Sequence, residues 1–200
     1  MIKVILFDAD GVLINGEKFA DHLQRELKIS SEATAPFFKG RFKDCVIGRA
    51  DLKTEIAPFL PQWGWNESVD DFLKLWFDVE HQTNNVLSDW IGKLREKGIL
   101  CYIATNQEKY RAQYIQDYMK LKPLFDGTFA SNEMGVCKPD EEFFNKVVNE
   151  LEVKKDKILL WDDTQGNVDS AIRAGLNGEL FTSNDNFKEI MSEKYKINFL

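Results

Sequence analysis

An α/β fold is what this sequence predicts: a parallel sheet flanked by helices, with a small helical unit inserted after the first strand. Three observations carry the prediction. Apolar runs at Val4 to Phe7, Ile99 to Ala104 and Ile158 to Trp161 are continuous rather than alternating, and each stops at acids or at hydroxyl and amide groups. Continuous runs mark strands buried on both faces, and helical patterns separate the later ones, the alternation of a parallel sheet. Between the first and second runs, from Gly16 to about Gln82, no stretch reads as a strand. Residues 1–15 and 83–200 are therefore expected to form the α/β core, and residues 16–82 a helical cap.

The elements follow in order. Phe19, Leu23 and Leu27 recur every four residues, which predicts an amphipathic helix from about Lys18 to Ile29. A second helix starts at Asp51 with Leu52, Ile56 and Phe59 inward. Ser68 and Asp71 form a capping box ahead of Phe72, Leu75, Trp76 and Val79. Leu87, Ile91 and Leu94, with Trp90 beside them, give a helix that closes at Lys97-Gly98. The strand from Ile99 ends in Thr105-Asn106, and a helix follows over about Lys109 to Met119. After the turn Phe125-Asp126-Gly127 comes a short strand, Thr128 to Ala130. Asp140 caps a helix carrying Phe143, Phe144, Val147, Val148 and Leu151. The strand from Ile158 is broken by Asp162-Asp163. A helix from about Asn167 stops at Ala174-Gly175, and Leu180-Phe181 is the last strand.

Composition narrows the function classes. At 200 residues with 44% apolar content the chain can bury a substantial core. A net charge of −7, with no basic run, argues against nucleic acid as a partner. No segment approaches about 18 consecutive apolar residues, and Met1-Ile2-Lys3 leads straight into the first strand without a signal-peptide pattern, so no membrane partner is expected and the cytoplasm is the expected location. Cys45, Cys101 and Cys137 are odd in number and outside any CxxC spacing, which predicts reduced thiols. With only two histidines, zinc is not expected.

The chemistry is expected at the strand ends. Side chains repeat every second residue along an extended backbone, so Asp8 and Asp10 should point to one side. Two like charges that close need a cation or a shared proton. A calcium loop does not fit, because its turn glycine would fall at Leu13 and its bidentate Glu at Phe19. Parallel strands joined by right-handed crossovers put Asp8 and Asp10, Thr105 and Asn106, and Asp162 and Asp163 on one edge of a Rossmann-like sheet, where ligands bind. Lys138 joins them from a loop. Carboxylate and carbonyl oxygens suit Mg2+, which keeps waters for a substrate phosphate, and Lys138 and Thr105 can bind the remaining phosphate oxygens.

Asp8-Ala-Asp-Gly-Val-Leu13, Thr105-Asn106, Lys138-Pro139-Asp140 and Trp161-Asp162-Asp163, followed by Asn167-Val168, resemble in order the four motifs of the haloacid dehalogenase-like (HAD) hydrolase superfamily. Segments 104–111, 131–135 and 162–168 look most like its small helical-cap branch, which holds phosphatases, phosphomutases and dehalogenases. The resemblance implies that Asp8 attacks phosphorus and becomes an aspartyl phosphate. It implies that Asp10 is the general acid/base, its backbone carbonyl a metal ligand. Thr105 and the Asn106 amide would hold the phosphoryl group, Lys138 would neutralise nucleophile and phosphoryl charge, and Asp162 would ligate Mg2+ together with Asp8. Asp163 is expected as a water-mediated ligand or a support behind the ligands, and Asn167 as a support. Dehalogenases of the superfamily lack the second aspartate, so Asp10 favours a phosphate ester, a small phosphorylated metabolite such as a sugar phosphate. A phosphomutase of the β-phosphoglucomutase type shares the same motifs and stays open, although the segment from Asn15 to Arg25 does not closely match its cap. A non-catalytic phosphate-binding regulatory protein is the reading from another class, and intact Asp8, Asp10, Thr105, Lys138 and Asp162 speak against it.

The cap should govern substrate choice. Its conspicuous residues, Phe37, Phe38, Trp63, Trp65 and Trp76, are expected to pack on one another, and Arg41 and Arg49 to sit in solvated ion pairs. His22 and His81 are expected on helix surfaces. The aromatic content suits a cap core or a subunit contact equally, so the oligomeric state stays open.

Overall fold

The structure, a computed structural model, describes residues 1–199. The chain runs β1 (Val4–Phe7), α1 (Phe19–Glu26), α2 (Ser31–Pro36), α3 (Phe42–Val46), α4 (Leu52–Ile56), α5 (Val69–Val79), α6 (Asn85–Glu96), β2 (Leu100–Thr105), α7 (Lys109–Gln113), β3 (Gly127–Ala130), α8 (Ser131–Met134), α9 (Glu141–Leu151), β4 (Ile158–Asp162), α10 (Gln165–Arg173), β5 (Asn177–Leu180) and α11 (Asn184–Glu193). The five strands form one parallel sheet in the order β3-β2-β1-β4-β5.

β1 sits at the centre because it is apolar on both faces, and Val4, Ile5, Leu6 and Phe7 have no exposed surface. Successive side chains go to opposite faces. Ile5 and Phe7 join Leu159, Trp161, α6 and α11 on one side, whereas Val4 and Leu6 join Leu160, Phe143, Phe144 and Ala171 on the other. Each such burial is worth roughly 1.5–3 kcal/mol. Phe7 pairs with Ile103 and with Trp161, so the polar residues that follow all three strands emerge at one edge.

Helices α1 to α5 and the turns between them build a separate cluster of Phe19, Leu23, Phe37, Leu52, Ile56, Trp63, Phe72 and Trp76. Two linkers join them to the sheet and hydrogen-bond side by side, Asn15 N–H to the Gln82 carbonyl and Asn84 N–H to the Leu13 carbonyl, both at 2.8 Å. Among the described residues no helix is long and apolar enough to cross a membrane.

The elements differ from expectation at several places. α1 stops at Glu26, three residues before Ile29, because Lys28 adopts a left-handed φ of 57°. α4 ends at Ile56, leaving Phe59 on a following turn. α2, a π-helical turn over Phe37–Arg41 and α3 occupy a stretch where Pro36 masks the helical pattern. α7 passes into another π-helical turn, Tyr114–Tyr118. The last strand lies at Asn177–Leu180 rather than Leu180-Phe181, since an edge strand pairs through its backbone and needs no apolar run. α11 follows it, held by Phe187 and Met191.

Candidate active site

Asp8 continues the β1 ladder through its N–H to the Trp161 carbonyl at 2.9 Å. The backbone then curls instead of staying extended: the Leu13 and Ile14 N–H groups both donate to the Ala9 carbonyl at 2.9 Å, and Gly11 takes φ 80°. Asp10 therefore reaches the site across a turn, not by strand alternation. Both carboxylates still line one cavity of about 400 Å³, with Thr105, Asn106, Asp163, Thr164 and Asn167. Their environments differ, for the Asp8 side chain is 12% exposed and that of Asp10 55%.

Lys138 is the buried cation of the site. Its ammonium donates to the Ala104 carbonyl at 2.6 Å, to Asp162 Oδ2 at 2.6 Å and to Asp8 Oδ1 at 3.0 Å. An ammonium has three donors, and in this arrangement Ala104, Asp162 and Asp8 face all three. Burial opposes that charge, but Asp8 and Asp162 outweigh it and hold the ammonium pKa above its ordinary value. Asn106 fixes the loop: its Oδ1 accepts from the Lys138 N–H at 2.9 Å and its Nδ2 donates to the Lys138 carbonyl at 2.8 Å. The amide side chain thus sets the lysine, while Thr105, 2% exposed at the end of β2, lies on the cavity wall.

Asp162 is fully buried and accepts from Lys138, from the Thr164 N–H at 2.9 Å and from Asn167 Nδ2 at 3.0 and 3.1 Å. A neutral amide at 167 satisfies that carboxylate without adding charge. Asp8, Asp162 and Asp163 each bring one oxygen within 4.8 Å of the others. Asp163, expected as a water-mediated ligand or a support behind the ligands, brings its carboxylate to the same point, and a Cβ on Gly11, whose φ is 80°, would lie 2.1 Å from Asp163 Oδ2. Three acids face one ammonium. Burial pushes the Asp8 carboxyl up to about 7 despite Lys138, with Asp162 adding to the rise, and burial likewise raises Asp163. A hard divalent cation fits this all-oxygen trio and would relieve the excess charge; the Asp10 carboxylate lies outside it.

Three neighbours of Asp10 carried no chemical signal in the sequence. Gln107 Nε2 donates to Asp10 Oδ2. Arg111, 2% exposed, stands 3.7 Å from Asp10 Oδ1 and 3.3 Å from Glu80 Oε2. Glu80, just past α5, lines the cavity, and burial raises its pKa against the pull of Arg111. Only the place of Gln107 and Arg111 behind a strand end hinted at a role. Linker residues Ile14, Asn15, Gly16, Glu17 and Lys18 also line the cavity, whereas none of Phe37, Phe38, Trp63, Trp65, Trp76, Arg41 or Arg49 does. Phe37, Trp63 and Trp76 are buried together with Phe38 and Trp65 packed against them, and Arg41 pairs with Glu55 at 3.8 Å in solvent. His22 faces Glu17, and His81 Nδ1 meets the Tyr114 hydroxyl at 2.7 Å. Cys45, Cys101 and Cys137 are free.

The profile of a family described as haloacid dehalogenase-like hydrolase matches residues 2–175. The sesquiterpene phosphatase astK of Aspergillus oryzae is 28% identical over 183 residues, 88% of each chain. The chloroplast flavin mononucleotide hydrolase 1 of Arabidopsis thaliana is 35% identical over 79 residues, 40% of this chain; that match spans about a third of the relative's length, 32%. In fold, the chain superposes with a TM-score of 0.81 on a HAD-family enzyme from Bacteroides thetaiotaomicron crystallised with magnesium and inorganic phosphate, at 20% identity and covering 95% of this chain and 99% of that one.

Proposed function

The chain belongs to the haloacid dehalogenase-like hydrolases, and from that premise we propose that it is a Mg2+-dependent phosphatase of a small phosphorylated metabolite, working through an aspartyl phosphate on Asp8. The observation that carries the proposal is the pairing of a buried carboxylate, Asp8, with a half-exposed one, Asp10, in a single cavity. A nucleophile and a proton carrier need those two environments. Relatives named as a phosphatase and a hydrolase, and a neighbour that holds magnesium with phosphate, support the same reading.

In the proposed reaction a carboxylate oxygen of Asp8 attacks phosphorus. The bond from phosphorus to the ester oxygen breaks, and protonated Asp10 gives its proton to the departing alkoxide. The Asp10 carboxylate then takes a proton from water, whose oxygen attacks the acyl phosphate and frees Asp8 and phosphate. Lys138 holds Asp8 in place and offsets charge, and Thr105 with the Asn106 N–H holds the phosphoryl oxygens. Mg2+, held by Asp8, Asp162, Asp163 and the Asp10 carbonyl, would supply positive charge for nucleophile and phosphoryl group together. Residues 16–82 serve as a cap over a core of 1–15 and 83–200, a division supported by the separate aromatic cluster.

The test is phosphate release from p-nitrophenyl phosphate and a panel of phosphorylated metabolites, with Mg2+ or chelator, for wild type and Asp8→Asn. Turnover that requires both Mg2+ and Asp8 is expected. Equal activity in the two proteins would falsify the nucleophile assignment, and an isomerised sugar phosphate in place of free phosphate would identify a mutase.

A further inference from the structure

Arg111 is as deeply buried as Lys138, each 2% exposed, yet no step above uses it. Its position is set firmly. The Glu108 carboxylate caps α7 and accepts from the Arg111 N–H. The guanidinium packs 5.5 Å from the rings of both Phe77 and Tyr114, and Nη1 donates to the Phe77 carbonyl at 3.3 Å. Nε and Nη2 are buried with no hydrogen-bond partner among the described residues. What faces Nη2 is charge, Glu80 at 3.3 Å from the end of α5 and Asp10 at 3.7 Å from the turn after β1.

The two oxygens of Asp10 therefore meet two side chains of one segment, Oδ1 facing Arg111 and Oδ2 accepting from Gln107. Asp10 and Glu80 line the cavity but Arg111 and Gln107 do not, so the latter two stand behind the carboxylates that face it. The geometry points to Arg111, assisted by Gln107, as a positioning residue: it holds the Asp10 carboxylate where a proton can be delivered, and through Glu80 ties that orientation to the end of helix α5. A proton carrier must sit within hydrogen-bond reach of its target. A 55% exposed side chain on a turn has several rotamers, and a fixed cation on one oxygen with an N–H on the other selects among them. Glu80 completes the device. It is the nearer of the two carboxylates beside the guanidinium, and it follows the last helix of the helical unit, so a shift of that unit changes how strongly Arg111 holds Asp10.

The inference rests on Asp10 being the proton carrier, and the experiment separates the two. kcat/KM is measured for p-nitrophenyl phosphate, whose phenolate leaves with little need of a proton, and for phenyl phosphate, whose phenolate needs one more. Asp10→Asn should lose far more activity on phenyl phosphate. Arg111→Met should show the same discrimination at about 10- to 100-fold, a fraction of what general acid catalysis contributes, with Gln107→Ala and Glu80→Gln smaller in the same sense. In an Asp10→Asn background Arg111→Met should add no further discrimination. Equal loss on both esters, or full additivity with Asp10→Asn, overturns the role of Arg111. No discrimination by Glu80→Gln overturns the link to α5. Wild type inactive on both esters overturns the phosphatase reading itself and the inference with it. If Arg111→Met does not fold because the half-buried Glu80 is left unpaired, Arg111→Met/Glu80→Gln removes both charges and carries the same expectation.

Discussion

The helical insertion and the edge of the sheet use burial in opposite ways. Within residues 16–82 the interior is aromatic: Phe37 lies 5.0 Å from Phe38 and Phe19 5.3 Å from Trp76, ring to ring. Among the described residues of that stretch Thr34 is the one buried polar side chain. At the sheet edge the buried side chains include Asp8, Glu108, Arg111, Lys138 and Asp162. Apolar burial stabilises wherever it occurs, whereas buried charge destabilises unless paired and persists where a function requires it. The interior of the insertion is thus built for its own stability, and the edge is where we place the chemistry, even though the insertion holds the more conspicuous residues.

Changes on the two sides should therefore fail differently. The largest effect is expected from Asp8→Asn, which should lower kcat on p-nitrophenyl phosphate at least about 1000-fold while circular dichroism shows an unchanged fold. Next comes Phe37→Ala. It empties a position with no exposed surface and should cost about 3–5 kcal/mol in chemical denaturation, with activity per folded molecule nearly preserved; a selective rise in KM would instead put this aromatic cluster in contact with substrate. Asp163→Asn should raise the Mg2+ concentration for half-maximal activity about 10- to 100-fold and shrink the rise in Tm that Mg2+ produces. The smallest effect concerns pH. In chelator the Asp8 carboxyl titrates at about 7, above its ordinary 3.8. A carboxyl raised in the folded state contributes stability below its unfolded pKa and loses it as pH rises through the folded value. The Tm in chelator should therefore fall between about pH 4 and 7, less so in Asp8→Asn, and identical slopes in the two proteins would break the assignment.

Much of the sheet was legible because its central strands are apolar on both faces, a pattern that leaves few alternatives. The polar stops of β1, β2 and β4 marked the edge for the same reason. Less was legible where geometry depends on turns. The curl after Asp8 replaced the expected strand alternation, and its logic becomes visible only when Gly11 is seen against Asp163, 152 positions along the chain. Helices α2 and α3 were hidden because Pro36 and a π-helical turn break the period. Gln107, Arg111 and Glu80 matter through what they face across the fold, which spacing along a chain does not encode. The aromatic residues were legible as core material, and Asn106 was expected to use its backbone amide, with no sign that its side chain clasps Lys138.

That clasp has a consequence for how the site responds to reaction. A lysine normally arrives at an anion by giving up the freedom of a long flexible stem. Lys138 gives it up on folding, since Asn106 grips its backbone from both sides and Ala104 and Asp162 anchor the far end. In the reaction we propose, the site therefore carries a preorganised field: when negative charge builds on phosphorus, the dipoles and the ammonium already stand where they are needed, and little reorganisation is left to be done.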